Sequence, residues 1–274
     1  MQKFTTSDGL NLVYKDEGAG PPVLCLNGLT RNYHDFDDMA AAVSGVRLIR
    51  MDSRGRGQSD YDPDFNNYTV AIESRDALEL LDHLGIEKSA IIGTSRGGII
   101  AMLLAATAKH RLSGVLLNDI GPDLATGGLD RIMDYLGKPP NSTTYEEVAT
   151  ALAATMTGFL GVTHQRWLVE AERLFKQENG RMLLRYDPKL RDAVLAGSSN
   201  LAPDLWPLFD AMNGLPLALL RGENSDLLTA ASAAEMQRRR PDMLFAEVKD
   251  RAHIPFLDEP ESLSIINAFI ERIS

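Results

Sequence analysis

The chain has 274 residues, 44% of them hydrophobic and 24% charged, with a formal net charge of −10. This is the balance of a soluble globular chain, long enough for one large domain or for a core with an insertion. It argues against nucleic-acid binding, which needs a basic surface to neutralise phosphates. The single cysteine, Cys25, rules out an intrachain disulfide. The opening residues MQKFTTSDGLNL lack an apolar signal-peptide core, and no apolar run reaches the length of a membrane span. The cytoplasm is the expected location.

Residues 2–6 and 10–16 read as two short strands around the turn Ser7-Asp8-Gly9. After Pro21-Pro22, the run Val23-Leu24-Cys25-Leu26 fits a strand buried on both faces. It ends at Asn27-Gly28-Leu29-Thr30. A helix is expected over about 35–43 and a strand over 46–51, followed by the polar, Gly-rich loop DSRGRGQSD. Residues 69–84 predict a helix, with Val70, Ala77, Leu81 and Leu84 on one face and Gly85 as a stop.

The next stretch organises the chain. An apolar run ends at Gly93, and a helix-compatible run, IIAMLLAATA, begins just past Gly97-Gly98. Between them, Gly93-Thr94-Ser95-Arg96-Gly97 matches G-x-S-x-G. That pattern needs a strand, a very sharp turn and a helix, with Ser95 exposed at the strand tip and backbone N–H groups of the helix N-terminus facing the same spot. A serine placed so is suited to attack a carbonyl and to have the resulting oxyanion stabilised.

Residues 112–118 form another apolar run, ending at Asp119-Ile120-Gly121-Pro122. Over 123–208 the alternation of strand and helix stops. Helical patterns there are broken by Pro139-Pro140, Gly158, Gly161, Asn179-Gly180 and Pro188, and the block holds both tryptophans, Trp167 and Trp206. It reads as a mostly helical insertion, dividing the chain into a core of 1–122 and 209–274 and a helical cap of 123–208. Alternation resumes with a strand over 215–220, a helix over 229–239, a strand over 243–248 and a last helix after Pro260. The fold class is therefore α/β: a mostly parallel, doubly wound sheet, with the polar loops collected at the carboxyl ends of its strands, where such sheets bind ligands. The basic run Arg238-Arg239-Arg240 falls at a helix end, where it answers the dipole.

A serine hydroxyl needs an adjacent base. Of five histidines, His253 alone follows the last strand directly, in DRAHIPF. The base needs a carboxylate to fix its tautomer. Asp226, in RGENSD, is the expected acid, because Ser95, Asp226 and His253 then occur in the order this kind of fold uses. Asp119 is the rival, and Glu223 a weaker one. For the oxyanion hole the expected donors are the backbone N–H groups of Arg96 and Leu29, with Gly28 allowing close approach.

At these residues the chain resembles the α/β-hydrolase superfamily. The pieces LNGLT, DSRGRGQSD, GTSRGG, LLNDIGP, RGENSD and RAHIPFLDEP carry the resemblance across essentially the whole core. It is nearest to capped members such as enol-lactonases and meta-cleavage-product hydrolases. Epoxide hydrolases and haloalkane dehalogenases use an aspartate nucleophile, and Ser95 sets this chain apart from both. Asn27 stands where many relatives have histidine, and Arg96 where many have an uncharged residue. The Arg96 side chain has two readings, a site for a substrate carboxylate or a salt bridge to a nearby acid.

The function this implies is hydrolysis of a carboxylic ester or lactone of a small apolar molecule through an acyl-serine. The alternatives are a C–C bond hydrolase of the meta-cleavage-product type, which calls for cations beside the serine, and a ligand-binding sensor on the same scaffold. Asn27, Gly28, Trp167, Phe159 and Tyr135 are the expected substrate-binding residues, with Met156, Leu136 and Trp206 as further candidates. Arg166, Arg173, Arg181 and Arg185 are expected on solvated faces of the cap. No metal or organic cofactor is expected. The expected partner is a small-molecule substrate, with no nucleic acid and no membrane; a homo-oligomer is left open.

Overall fold

A computed structural model describes residues 1–198 and 204–274. The chain opens with β1 (Gln2–Thr5), β2 (Asn11–Gly18), β3 (Pro22–Leu26), α1 (Asp37–Ala42) and β4 (Arg47–Met51). It continues with α2 (Val70–His83), β5 (Ser89–Thr94), α3 (Arg96–Thr107) and β6 (Leu112–Asn118). Next come α4 (Thr126–Tyr135), α5 (Tyr145–Thr155), α6 (His164–Leu174), β7 (Phe175–Glu178), β8 (Arg181–Leu184), α7 (Leu190–Ser198) and α8 (Trp206–Asp210). The last elements are β9 (Leu217–Gly222), α9 (Ala230–Arg239), β10 (Leu244–Val248) and α10 (Pro260–Ile273).

Eight strands form one sheet in the order β1-β2-β4-β3-β5-β6-β9-β10, parallel from β4 to β10 and antiparallel only at β1 and β2. Every residue of β5 and of β9 is buried. That is why these strands read as unbroken apolar runs rather than alternating ones. Side chains from opposite faces of the sheet feed two separate cores, one under α2, α3 and α9 and one under α1 and α10. Cys25 lies in the second, fully buried, and burial pushes its thiol up to about 12.

The helical face predicted for 69–84 is the buried face of α2, and Thr69 caps its N-terminus by accepting from the Ile72 N–H. Between β6 and β9 the structure has helices, as expected, and also an antiparallel hairpin, β7–β8, that the sequence reading did not foresee. Its turn is Asn179-Gly180, both with positive φ. Two further small cores lie in this segment, one around Val148, Trp167 and Met182, the other joining Leu136, Leu184, Tyr186 and Leu190 to Tyr68. α8 belongs instead to the main body: Phe209 and Met212 are buried in the large core, Trp206 packs against it, and Arg239 stacks on the Trp206 ring. The expected boundary at residue 208 therefore falls inside a helix of the main body. Residues 199–203 of the expected cap lie outside the described residues. Among the described residues no helix is long and apolar enough to cross a membrane.

Candidate active site

Ser95 sits between β5 and α3 with φ 50 and ψ −115, a conformation that a side-chain-bearing residue adopts only under constraint. The constraint is close packing of strand and helix. A Cβ at Gly93 would lie 2.6 Å from the Gly97 carbonyl oxygen, and one at Gly97 would lie 2.1 Å from the Leu26 carbonyl oxygen. Glycine at both positions lets the turn press against the end of β3, and so against the loop 27–30.

The Ser95 hydroxyl lies 3.0 Å from Nε2 of His253, and Nδ1 of His253 lies 2.8 Å from Oδ2 of Asp119. The carboxylate is therefore Asp119, not the expected Asp226. Asp119 is fully buried, and its other bonds come from the β9 loop: Oδ1 accepts from the Gly222 N–H at 2.7 Å, and Oδ2 accepts from the Ser225 hydroxyl at 2.6 Å. β6 and β9 are neighbours, with Asn118 opposite Leu220, so their two loops start side by side. The β9 loop spends its polar groups holding Asp119, and Asp226, one residue further on, turns into the neighbouring cavity. There its Oδ2 meets Nε of Arg131 at 3.0 Å. Glu223 is likewise elsewhere, accepting from the Asp250 N–H. Asn118 supports the histidine loop from below, its amide donating to the Pro255 carbonyl.

The backbone N–H groups of Leu29 and Arg96 are committed to no hydrogen bond among the described residues. A Cβ on Gly28 would lie 3.7 Å from the Ser95 Cβ, which shows how closely this loop passes the serine. Asn27 does not bind into the site. It is buried, and its amide donates to the Met51 carbonyl at 2.8 Å, tying β3 to β4.

The Arg96 side chain turns away from the serine. Its Nε and Nη2 donate to Glu73 at 2.7 and 3.0 Å, and Nη2 also donates to the Tyr68 carbonyl. Of its two sequence readings, the salt bridge is the one the structure has. Glu73 also accepts from Arg56 at 2.8 Å, and Arg56 in turn donates through Nε to the Leu29 carbonyl at 2.8 Å. Burial pushes the Glu73 carboxyl upward, but Arg56 and Arg96 outweigh it and bring it down to about 2. Glu73 is not among the residues expected at the site from sequence. The available signal was a charged residue three after Val70 and four before Ala77, on the apolar stripe of α2. A carboxylate there must find cationic partners.

A cavity of about 240 Å³ opens onto Ser95 and His253. Gly28 and Leu29 border it from the sheet side, and Arg131, Tyr135, Met156, Phe159 and Trp167 from the segment between β6 and β9. Of the expected lining residues, Gly28, Tyr135, Met156, Phe159 and Trp167 are therefore at the cavity. Leu136 is buried in a small core away from it, and Trp206 is packed on the main body. Phe159 lies tilted against Phe256 at a centroid distance of 5.3 Å, and Trp167 meets it edge-on at 6.2 Å.

Arg166 and Arg173 are not on solvated faces. They pair with Asp38, Asp258 and Glu170, while Arg31 reaches Glu170 at 2.8 Å from the sheet side, fastening α6 to the body. Arg185 binds the Glu172 and Phe175 carbonyls, and Arg181 stays exposed at the β7–β8 turn. Among the described residues no group of three or more His, Cys, Asp or Glu is arranged to hold a metal. Chemically, an imidazole between a hydroxyl and a buried carboxylate can draw off the hydroxyl proton, and two free N–H groups beside it can receive a developing negative charge.

The family model described as alpha/beta hydrolase fold matches residues 21–260. A 3-hydroxybutyrate-oligomer hydrolase from Cupriavidus necator is 36% identical over 265 residues, covering 92% of this chain and 89% of that one. A 3-oxoadipate enol-lactonase from Acinetobacter baylyi is 24% identical, covering 98% and 97%. Among solved structures, an alpha/beta hydrolase from Novosphingobium aromaticivorans superposes with a TM-score of 0.93 at 40% identity, covering 99% of this chain and 97% of that one.

Proposed function

The chain belongs to the alpha/beta hydrolase fold family and is a hydrolase, and from that premise we propose that it cleaves carboxylic esters or lactones of small molecules through an acyl-serine. The observation that carries this reading is the relay Ser95–His253–Asp119, with contacts of 3.0 and 2.8 Å. In the proposed reaction the Ser95 hydroxyl oxygen attacks the ester carbonyl as His253 takes its proton. The carbonyl oxygen, now negative, accepts hydrogen bonds from the Leu29 and Arg96 N–H groups. The carbonyl re-forms, the C–O bond to the alcohol breaks, and His253 returns the proton to that oxygen. Water, deprotonated by the same imidazole, then attacks the acyl-serine; the C–O bond to Ser95 breaks, His253 returns the proton to the serine oxygen, and the acid is freed. Asp119 keeps the ring in the tautomer that places the lone pair toward Ser95.

In this reading, residues 126–198 are a cap that supplies apolar walls and excludes water. The Arg96 side chain, which Glu73 and Tyr68 hold away from the serine, supplies no cation directly beside the reacting atoms, which supports an ester over C–C cleavage; a cation elsewhere on the cavity wall does not separate the two. The oligoester substrate in the name of the 36% identical relative points the same way. A cytoplasmic location is part of the same proposal, and cell fractionation tests it.

The deciding experiment is labelling with a fluorophosphonate, together with kinetics on 4-nitrophenyl esters, simple lactones and a 2-hydroxy-6-oxo-dienoate. Label on Ser95 and turnover of an ester or lactone are the expected results. Ser95→Ala should lower kcat by about 10⁴ or more while leaving the fold intact. A label on another serine sinks the mechanism. A dienoate kcat/KM a hundredfold above the best ester, about 2.7 kcal/mol, reverses the choice of reaction.

A further inference from the structure

The arginines at the cavity, Arg31 and Arg131, and those behind its wall, Arg166 and Arg173, are not alike. Arg31 is held by Asp35 and Glu170, Arg166 by Asp38 and Asp258, and Arg173 by Asp38 and Glu170. Each of these guanidiniums is thus held by at least two carboxylates. Arg131, on α4, is different. It lines the cavity, it is about half exposed, and its one ion pair among the described residues is with Asp226 Oδ2 at 3.0 Å. That contact is close but not aligned: the Asp226 oxygen is buried and makes no hydrogen bond. The Nη groups of Arg131 have no partner among the described residues. Lys138, just beyond the end of the same helix, adds a second cation to this wall, its ammonium donating, among the described residues, only to the Asp134 carbonyl. The rest of the lining is largely apolar. In a chain of net charge −10, a cationic wall in an apolar cavity needs an explanation.

We propose that Arg131 is the binding site for a free carboxylate on the substrate, so that the preferred ester is one whose far end is an acid. This rests on the ester-hydrolase reading of Ser95 and deepens it. A guanidinium offers two parallel N–H groups to a carboxylate, a geometry that Asp226 does not use here. A half-exposed, misaligned ion pair is weak, so exchanging Asp226 for a substrate carboxylate costs little. The Asp226 loop is the same one that holds Asp119 through Ser225, so this subsite is fixed relative to the reacting serine.

The test compares mono-4-nitrophenyl glutarate with 4-nitrophenyl hexanoate, which are similar in length and differ at the far end in charge. The quantity read is the ratio of their kcat/KM values. The expected ratio in the unmodified protein is ten or more in favour of the glutarate, falling as salt is raised. Arg131→Gln should reduce the ratio at least tenfold, and Arg131→Lys should reduce it less. A second arm uses Ser95→Ala and calorimetry with hexanoate and 1-hexanol. The carboxylate should bind more tightly than the alcohol, and Arg131→Gln in that background should remove the difference.

A ratio near one, or a ratio that Arg131→Gln leaves unchanged, overturns the proposal while hexanoate-ester turnover still upholds the hydrolase reading. Arg131-dependent carboxylate binding with no turnover of either ester upholds the carboxylate site and overturns the hydrolase reading instead.

Discussion

Glu73 and Arg96 are joined by two hydrogen bonds, at 2.7 and 3.0 Å, directly behind the turn that carries Ser95. Glu73 also holds Arg56, which grips the Leu29 carbonyl. One buried carboxylate thus connects the two residues whose N–H groups are proposed as the oxyanion donors. Glu73→Gln leaves the buried Arg56 and the partly buried Arg96 without their counter-charge, a change that typically costs about 3–5 kcal/mol. Urea unfolding at neutral pH should show that loss. In the surviving folded fraction, kcat should fall about tenfold with KM little changed, because displaced oxyanion donors are felt in the transition state. A loss of stability with kcat intact would mean that Glu73 supports the fold only.

Asp119 and Asp226 are separated by the same reasoning. Asp119→Asn should lower kcat roughly 10⁴-fold, since the amide favours the wrong histidine tautomer. Asp226→Asn should cost less than tenfold on a neutral ester, since its carboxylate touches Arg131 and not His253. Steady-state kinetics of the two variants on one ester decide the matter. The reverse order would restore Asp226 as the acid.

This pair also shows what the sequence could and could not disclose. The elbow was legible because G-x-S-x-G between an apolar run and a helix leaves one conformation open, and His253 because it alone follows the last strand. The acid was not, because β6 and β9 end side by side and each is followed by an aspartate. The choice depends on which loop folds its hydroxyl and N–H groups over the other's carboxylate, and composition does not encode that. The β7–β8 hairpin was legible and misread: Asn-Gly is the strongest short hairpin signal, but the strands on either side are only four residues long and follow directly on a helix. Asn27 pointed to the site by its place in the chain, yet its amide is used to join two strands.

Phe159 and Trp167 are both wall and core. Trp167 is 4% exposed and meets Phe159 edge-on at 5.7 Å. Trp167→Ala should therefore destabilise the protein by about 3–5 kcal/mol, seen as a lower unfolding midpoint in urea. Phe159 is less enclosed, and its ring borders the cavity. Phe159→Ala should shift relative kcat/KM between short and long acyl esters while preserving the rate of Ser95 labelling by a small fluorophosphonate. Equal losses on all esters would reduce Phe159 to a packing residue.

Asp52 gives stability an uncommon pH dependence. Its side chain is fully buried at the end of β4, accepting from the Tyr33 and Gln58 N–H groups at 2.8 and 2.9 Å. Burial pushes its carboxyl up to about 6 despite those two bonds. In the unfolded chain it returns to about 3.9. Between these values the folded state holds a proton that the unfolded state has released, so stability falls as pH rises through this window. The contribution is complete below about pH 4 and lost above about pH 6, amounting to about 3 kcal/mol. Glu73 runs the other way, its contribution present above the ordinary glutamate range and lost as pH falls toward 2. Urea unfolding of the unmodified protein and of Asp52→Asn across this range isolates the Asp52 term. Asn is the less stable throughout, because it cannot accept both N–H groups, and the gap between the two proteins should narrow as pH rises from about 4 to about 6. A gap that stays constant or widens would mean that Asp52 is ionised in the folded protein across the whole range.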